Sequence, residues 1–380
     1  MIKLEHVTKI YPGTTSPAVD DLSFTVPTGE ICTIVGPSGC GKTTTMKMVN
    51  RLIEPTDGEI YVLNERGEMQ NVLEMDPIIL RRNIGYVIQQ IGLFPHRTIL
   101  QNMGTVPKLL EWDNTRIRSR AEELLDMMNM PHEFLDRYPH ELSGGQRQRI
   151  GVARAMASDP PVMLMDEPFG AIDPINRNLL QNEFLRLQQE IKKTILFVTH
   201  DIDEAIKMGD KIAILNANGQ LEQYDSPAKI LSEPANEFIE DFVGADRTLK
   251  QLNLIRVEEV MDKKPFLLQS TQSVEEALKA MDEKGQDYAY VVDSDRRLQG
   301  YVSRKDLKGK SGWIDEYTTT AATSLPITMN LRDALSEMLM VDYSTICVVD
   351  NRDRVRGTVN TAMVQEALME THSSERREEV

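Results

Sequence analysis

Short runs of consecutive apolar residues punctuate the first two-thirds of the chain: ICTIV at 31–35, IGYVIQ at 84–89, VMLM at 162–165 and TILFVT at 194–199. Each is too short for a stable helix, and none alternates with polar positions. Such runs predict strands buried on both faces, the pattern of a largely parallel sheet. Helical patterns follow several of them, which predicts an α/β architecture for residues 1–245. From about 100 to 158 the strand signals fade, marking a helical insert. Inside it, ELSGGQRQRIGVARAM (141–156) has helical periodicity, with Ile150, Ala153 and Ala157 on one face.

Beyond Gly244 the texture changes. Residues 273–307 and 330–364 align without a gap at an offset of 57. Ala277-Leu278 matches Ala334-Leu335, Met281 matches Met338, and Val291-Val292-Asp293 matches Val348-Val349-Asp350. Gly300 and Val302 match Gly357 and Val359. This is an internal duplication. Each copy reads helix, strand, turn, strand, helix, with repeats at about 255–309 and 312–371 inside a second domain, 246–380. The closing SSERREEV is polar and reads as a frayed tail.

Composition narrows the function. The formal net charge of −16 excludes nucleic acid as the main partner, because phosphate backbones need a basic surface. No apolar run approaches the ~18–20 residues of a membrane span, and MIKLEHVTKI lacks the apolar core of a signal peptide. Any work at a membrane is therefore expected to pass through partner subunits. Cys32, Cys40 and Cys347 lack metal spacing and suit reduced thiols in the cytoplasm.

The candidate chemistry is phosphate chemistry. Gly36-Pro37-Ser38-Gly39-Cys40-Gly41-Lys42-Thr43 fits G-x-x-x-x-G-K-[ST] and lies between a strand and a helical run, as that motif requires. Its glycines let backbone N–H groups face a phosphate at a helix N-terminus. Lys42 is expected to reach the β- and γ-phosphates, and Thr43 to bind Mg²⁺. VMLMDEP (162–168) delivers two carboxylates to a strand's C-terminal end. Asp166 there suits the Mg²⁺ shell and Glu167 an attacking water; a structural ion pair is the plainer alternative for each. TILFVTHD ends its strand in His200, read either as a γ-phosphate contact or as a structural histidine. Ser143-x-x-Gln146 is a capping box, so Ser143-Gly144-Gly145-Gln146 opens a helix with bare backbone and no lysine. The chain thus carries two anion-binding helix starts.

GPSGCGKTT, LSGGQRQRI, LMDEP and VTH, in that order, resemble the ATP-binding subunit of an ABC transporter over residues 1 to about 245. The resemblance implies a P-loop NTPase domain with a helical subdomain, hydrolysing ATP to ADP and phosphate with Mg²⁺. It implies a head-to-tail homodimer with ATP between the loop of one subunit (Gly36, Ser38, Gly39, Cys40, Gly41, Lys42, Thr43 and Thr44) and Ser143, Gly144, Gly145 and Gln146 of the other. By motif, Tyr11 in KIYPG matches the aromatic that stacks on adenine, and Asp173 in GAIDP matches the loop crossing the dimer. Gln89 matches the residue touching Mg²⁺ and the attacking water; Gln90 is its rival, and spacing to Pro95-His96 favours Gln89. IGLFPH resembles the contact for a membrane subunit. The implied partners are a second copy, permease subunits and, indirectly, a substrate-binding protein, at the cytoplasmic face of the membrane.

GCGKTTTMKMVNRLIEPTDGEI, RRNIGYVIQQIGLFPH and DEPFGAIDPINR are similar more narrowly to the ATPases importing glycine betaine, carnitine and choline, and the C-terminal duplication resembles a tandem CBS pair, an α+β module. In CBS domains a Ser or Thr followed three residues later by Asp commonly holds ribose and phosphate. The first copy has Ser303 and Asp306 there; the second has Asn360 and Met363. Binding of an adenine nucleotide or cyclic di-AMP, sensing of ionic strength, and simple packing stay open. An ABC importer for another small solute such as an amino acid, or a soluble ABC regulator, is the alternative. Translation-type members usually carry two cassettes, and this chain has one phosphate loop; repair-type members insert long coiled coils, and the 130 residues between Gly36 and Asp166 hold no sustained heptads.

Overall fold

The computed structural model describes residues 1–374 other than 65, 66, 90, 91, 171, 322 and 341–344. Its Cα framework divides into two compact units, Met1–Val243 and Gly244–Val380.

In the first unit the continuous apolar runs are strands covered on both sides. The strands are β1 (Ile2–Lys9), β2 (Val19–Val26), β3 (Ile31–Val35), β4 (Asp57–Leu63), β5 (Met69–Asn71), β6 (Ile84–Val87), β7 (Val162–Asp166), β8 (Thr194–Val198), β9 (Lys211–Leu215) and β10 (Leu221–Asp225). One sheet runs β10-β9-β3-β8-β7-β6, parallel throughout except for antiparallel β10 at its edge. Side chains alternate between two cores. Met163, Met165, Ile195 and Phe197 enter one, with the helices; Val162, Leu164, Leu196 and Val198 enter the other. That two-sided burial is why no charged residue interrupts these runs; the small hydroxyl of Thr33 is the polar group buried in mid-strand of β3.

The second core is closed by a four-stranded antiparallel sheet, β2-β1-β4-β5. The apolar runs did not announce it. Its strands alternate instead, as in VDDLSFTV, where Val19, Leu22, Phe24 and Val26 are buried and Asp21 and Ser23 are exposed. Two expected strands are also shorter: IGYVIQ leaves the sheet after Val87, and TILFVT after Val198.

The helices are α1 (Lys42–Val49), α2 (Pro77–Arg82), α3 (Ile99–Met103), α4 (Thr105–Leu109), α5 (Asn114–Met127), α6 (Gly144–Met156), α7 (Pro174–Ile191), α8 (Ile202–Met208), α9 (Pro227–Ser232) and α10 (Glu237–Val243). Helices α3 to α6 occupy the expected insert. Among the described residues no helix is long and apolar enough to cross a membrane.

In the second unit the duplication is visible strand by strand. One sheet is β11-β12-β13 (Leu267–Gln269, Tyr288–Val292, Leu298–Ser303) and the other β14-β15-β16 (Leu325–Pro326, Thr345–Val349, Val355–Asn360). Hairpin registers repeat at the sequence offset: Val291 faces Gly300 as Val348 faces Gly357. The helices Val274–Lys284 and Leu331–Met340 start at equivalent positions, where Ser273 and Asn330 accept from the third backbone N–H that follows each. Each copy has one strand more than its pattern announced. β11 and β14 have three and two residues, too few to carry a period.

Candidate nucleotide site

The strand order brings the motifs together. β3, β8, β7 and β6 are neighbours in that order, and all four point the same way. Their C-terminal ends therefore present the 36–43 loop, His200, Asp166-Glu167 and Gln89 along one edge, where ligands of open α/β sheets bind.

The loop is pressed against its own chain. A Cβ at Gly36 would fall 2.4 Å from the Leu215 carbonyl oxygen, and one at Gly41, with φ +90°, 2.2 Å from that of Ala18. Only glycine fits either place. Ala18 and Val19 thus back the loop; no motif pointed to them, and Gly41 and Gly219 both approach the Ala18 carbonyl. Lys42 is 7% exposed, and its ammonium donates to the Gly36 and Pro37 carbonyls at 2.7 and 2.8 Å, inside the curl of the loop. Ser38 and Gly39 are exposed at its tip. Burial pushes the Cys40 thiol up, so it stays neutral beside that ammonium. α1 starts at Gly41 without a side-chain cap, leaving its first N–H groups to whatever the loop holds.

Oxygen donors gather beneath α1. Thr43 Oγ1 donates to Asp166 Oδ1 at 3.1 Å. Asp166 is 7% exposed, and burial raises its carboxyl above the ordinary value; the Thr43 bond opposes that, while Glu167 adds to it. Tyr11, by its hydroxyl, lies 3.3 Å from Thr44 Oγ1, at the first turn of the same helix.

Glu167 is held from two sides. Gln89 Nε2 donates to its Oε2 at 3.0 Å, and His200 Nδ1 lies 3.1 Å from its Oε1. Its backbone sits at φ +45°, a conformation costly for a residue with a side chain. A carboxylate on a strained backbone, fixed by an amide and an imidazole, has the arrangement a pre-oriented proton acceptor requires. Neither the strain nor this three-residue contact was visible in the motifs. Gln90, the rival to Gln89, lies outside the described residues. Asp173 is exposed, and its carbonyl accepts from Arg177 N at 2.9 Å.

The second anion-binding start is built differently. Ser143 Oγ accepts from Gln146 N at 3.3 Å, and Gln146 Oε1 accepts from Ser143 N at 2.8 Å, so the predicted capping box is present at α6. Gly144 and Gly145 form the first turn, and a Cβ at Gly144 would meet nothing within 4 Å. Each of these side chains accepts from the other residue's backbone N–H rather than from the groups at the sheet edge.

The second unit holds a cleft of about 660 Å³, lined by Lys264, Lys284, Tyr288, Tyr290, Tyr301 and Asn360 among others. Ser303 and Asp306 are not among the described residues lining it. They are spent on each other: Ser303 Oγ donates to Asp306 Oδ2 at 2.5 Å and accepts from Asp306 N, capping the helix Arg304–Leu307. The equivalent positions of the other copy, Asn360 and Met363, face the cleft instead.

The ABC transporter family matches residues 19–170, and the CBS domain family matches 257–311. The chain is 46% identical over 373 residues to the osmoprotectant import ATP-binding protein OsmV of Salmonella typhimurium, covering 97% of this chain and 96% of that one. It is 46% identical over 375 residues to the glycine betaine/carnitine/choline transport ATP-binding protein OpuCA of Bacillus subtilis, covering 98% and 97%. Among solved structures, the dimeric ABC transporter cassette MJ0796 aligns with a TM-score of 0.52 at 35% identity, over 60% of this chain and 99% of that one. The same cassette in a post-hydrolysis state bound to ADP and Pi aligns with the same score at 34% identity. With its phosphate loop, carboxylates, glutamine and histidine on one sheet edge, and a CBS domain match later in the sequence, the chain belongs to the ATP-hydrolysing, ATP-binding subunits of ABC transporters.

Proposed function

We propose that this subunit drives import of quaternary amine osmoprotectants of the glycine betaine, carnitine and choline type, through separate permease subunits at the cytoplasmic face of the membrane. A substrate-binding protein delivers the cargo outside. The reading of the cargo rests on relatives matched over nearly their whole length.

The observation that carries the catalytic roles is the Gln89–Glu167–His200 contact at the ends of adjacent strands. In this reading Glu167 takes a proton from the attacking water, His200 touches the γ-phosphate, and Gln89 stands beside the water and Mg²⁺. Lys42 turns from the Gly36 and Pro37 carbonyls to the β- and γ-phosphates, with Ser38 to Gly41 and Thr44 around them, and Tyr11 stacks on adenine. The Thr43 hydroxyl and Asp166 carboxylate are hard oxygen donors that suit Mg²⁺, which takes few protein ligands and completes its shell with phosphate and water. Such an ion neutralises charge on the transferred phosphate. Ser143, Gly144, Gly145 and Gln146 meet the nucleotide of a second copy, and Asp173 crosses to it. Glu167→Gln tests the centre: nucleotide binding persists while phosphate release falls by a factor on the order of 10²–10⁴. Reconstitution with permease and binding protein, measuring ATP-driven uptake of betaine, carnitine and choline, tests the cargo.

For the C-terminal cleft, we infer an adenine nucleotide or cyclic di-AMP as regulator. Two lysines and three tyrosines in one cleft suit an anionic, aromatic ligand. Equilibrium dialysis of cyclic di-AMP against the full chain and Lys264→Glu tests it; equal retention by both refutes a site there.

A further inference from the structure

Four residues past His200 stands Glu204, a carboxylate that the chemistry above does not use. It lies in the first turn of α8 and is 8% exposed. Its Oε1 accepts from Gln181 Nε2 at 2.9 Å, and the Thr199 hydroxyl also bonds to it. Gln181 is 3% exposed and belongs to α7. Asp201 adds like charge nearby, and Arg177 adds opposite charge.

These partners lead to two segments that carry the predicted chemistry, the His200 turn and the Ile172-Asp173 loop. Thr199 Oγ1 accepts from Asp201 N at 3.1 Å, closing the turn that carries His200, and Asp201 caps α8 through the Asp203 and Glu204 N–H groups. On the other side, one turn before Gln181, the Arg177 guanidinium donates to the Ile172 carbonyl at 3.0 Å, and its backbone N–H donates to the Asp173 carbonyl. A buried carboxylate is a poor way to stabilise this place. Burial pushes its carboxyl up, so the charged form is costly here and is offset only by the Gln181 and Thr199 hydrogen bonds.

We propose that Glu204 is a positioning residue: it ties the His200 turn to α7, and so sets His200 and the Ile172-Asp173 loop in one fixed relation. Glu204 touches neither nucleotide nor water and acts through Thr199 and Gln181. The proposal rests on the reading of His200 as a γ-phosphate contact.

The test uses the full-length chain with Glu204→Leu, Glu204→Gln, His200→Ala and the double variant Glu204→Leu/His200→Ala. Glu204→Leu keeps the space filled but leaves the buried Gln181 amide and the Thr199 hydroxyl without their acceptor, so its melting temperature is expected to fall modestly, and turnover is measured well below it. Its kcat for ATP is expected to fall about tenfold, since small misplacements of a reacting group cost one to two powers of ten, with KM within about twofold. Glu204→Gln, which keeps an acceptor for Gln181, is expected to recover most of the loss. In the His200→Ala background the Leu substitution is expected to cost nothing further, the mark of two residues acting as a unit. Normal kcat in Glu204→Leu beside a crippled His200→Ala overturns the proposal alone. An equal further loss in the double variant overturns it as well, since Glu204 then acts elsewhere. A His200→Ala chain that turns over normally overturns the His200 reading, and the proposal with it.

Discussion

A Cβ added at Gly36 would lie 2.4 Å from the Leu215 carbonyl oxygen, and one at Gly41 2.2 Å from that of Ala18, whereas one at Gly144 would meet nothing within 4 Å and one at Gly145 only Leu180 Cδ1 at 4.0 Å. Both stretches open a helix, and both bare the backbone. In the first, the fold itself demands glycine. In the second, no described neighbour does, and glycine inside a helix costs about 1 kcal/mol relative to alanine. Gly144 and Gly145 are thus free of any such demand from the described chain, which fits the proposed contact with a second copy. The caps agree: α1 has no side-chain cap of its own, while α6 satisfies itself through Ser143 and Gln146. One helix start waits for a ligand held by its own loop. The other is complete as a structure and offers its first turn outward.

The largest effect that sharpens this contrast is Gly145→Asp. A carboxylate on the outward turn repels a partner's γ-phosphate. ATP binding at Lys42 is expected to persist while hydrolysis falls by roughly 10² or more, the scale of losing a preorganised phosphate donor. A phosphate-release assay with normal turnover breaks the outward reading of 143–146. Gly41→Ala is the counterpart inside the chain. With φ at +90° and the Ala18 carbonyl in the way, it is expected to lose roughly 2–4 kcal/mol of stability, and nucleotide binding with it. Thermal melting that leaves the variant unchanged breaks the inward reading of 36–43.

Gly144→Ala then separates stability from function. The position is helical and open, so alanine is expected to stabilise the isolated chain by about 0.5–1 kcal/mol while slowing hydrolysis several-fold. Melting and turnover that move in the same direction contradict the idea that the glycine serves another molecule.

These two stretches also mark what could be read before any coordinates. Gly36 to Thr43 and Ser143 to Gln146 announce themselves because each is local: a few consecutive residues carry the whole device. The buried strands were legible for the same reason, since two-sided burial leaves a continuous apolar run. What stayed hidden is non-local. The order β3-β8-β7-β6 follows from pairing between distant segments, and only that order puts Gln89 and His200 on the same carboxylate. The alternating strands of the antiparallel sheet gave no continuous run. In the C-terminal unit the duplication was legible to the residue, yet the pattern pointed to Ser303 and Asp306, which cap a helix of four residues, and the cleft is faced by Asn360 in the other copy. A motif read by spacing cannot tell a cap from a ligand contact, because both place a short polar side chain ahead of a helix.

The smallest effect is one of pH, and it belongs to one helix start alone. Beneath α1, Thr43 is bonded to Asp166, whose carboxyl burial raises. The folded chain therefore keeps that proton to higher pH than the unfolded chain does. Above the unfolded value the folded state binds more protons, so stability falls as the pH rises through the folded value. Ser143 and Gln146 do not titrate, so the α6 start contributes no such slope. Asp166→Asn is expected to flatten the decline of the melting temperature across that window while abolishing Mg²⁺-dependent hydrolysis. Part of the decline persists, because Glu204 is raised by burial in the same direction. Ser143→Ala is expected to lower stability by about 1 kcal/mol equally at every pH, as the loss of an uncharged cap does. Melting curves of both variants over the acidic range decide the matter. If Ser143→Ala changes the slope or Asp166→Asn leaves it untouched, the two helix starts do not differ as their neighbours say they should.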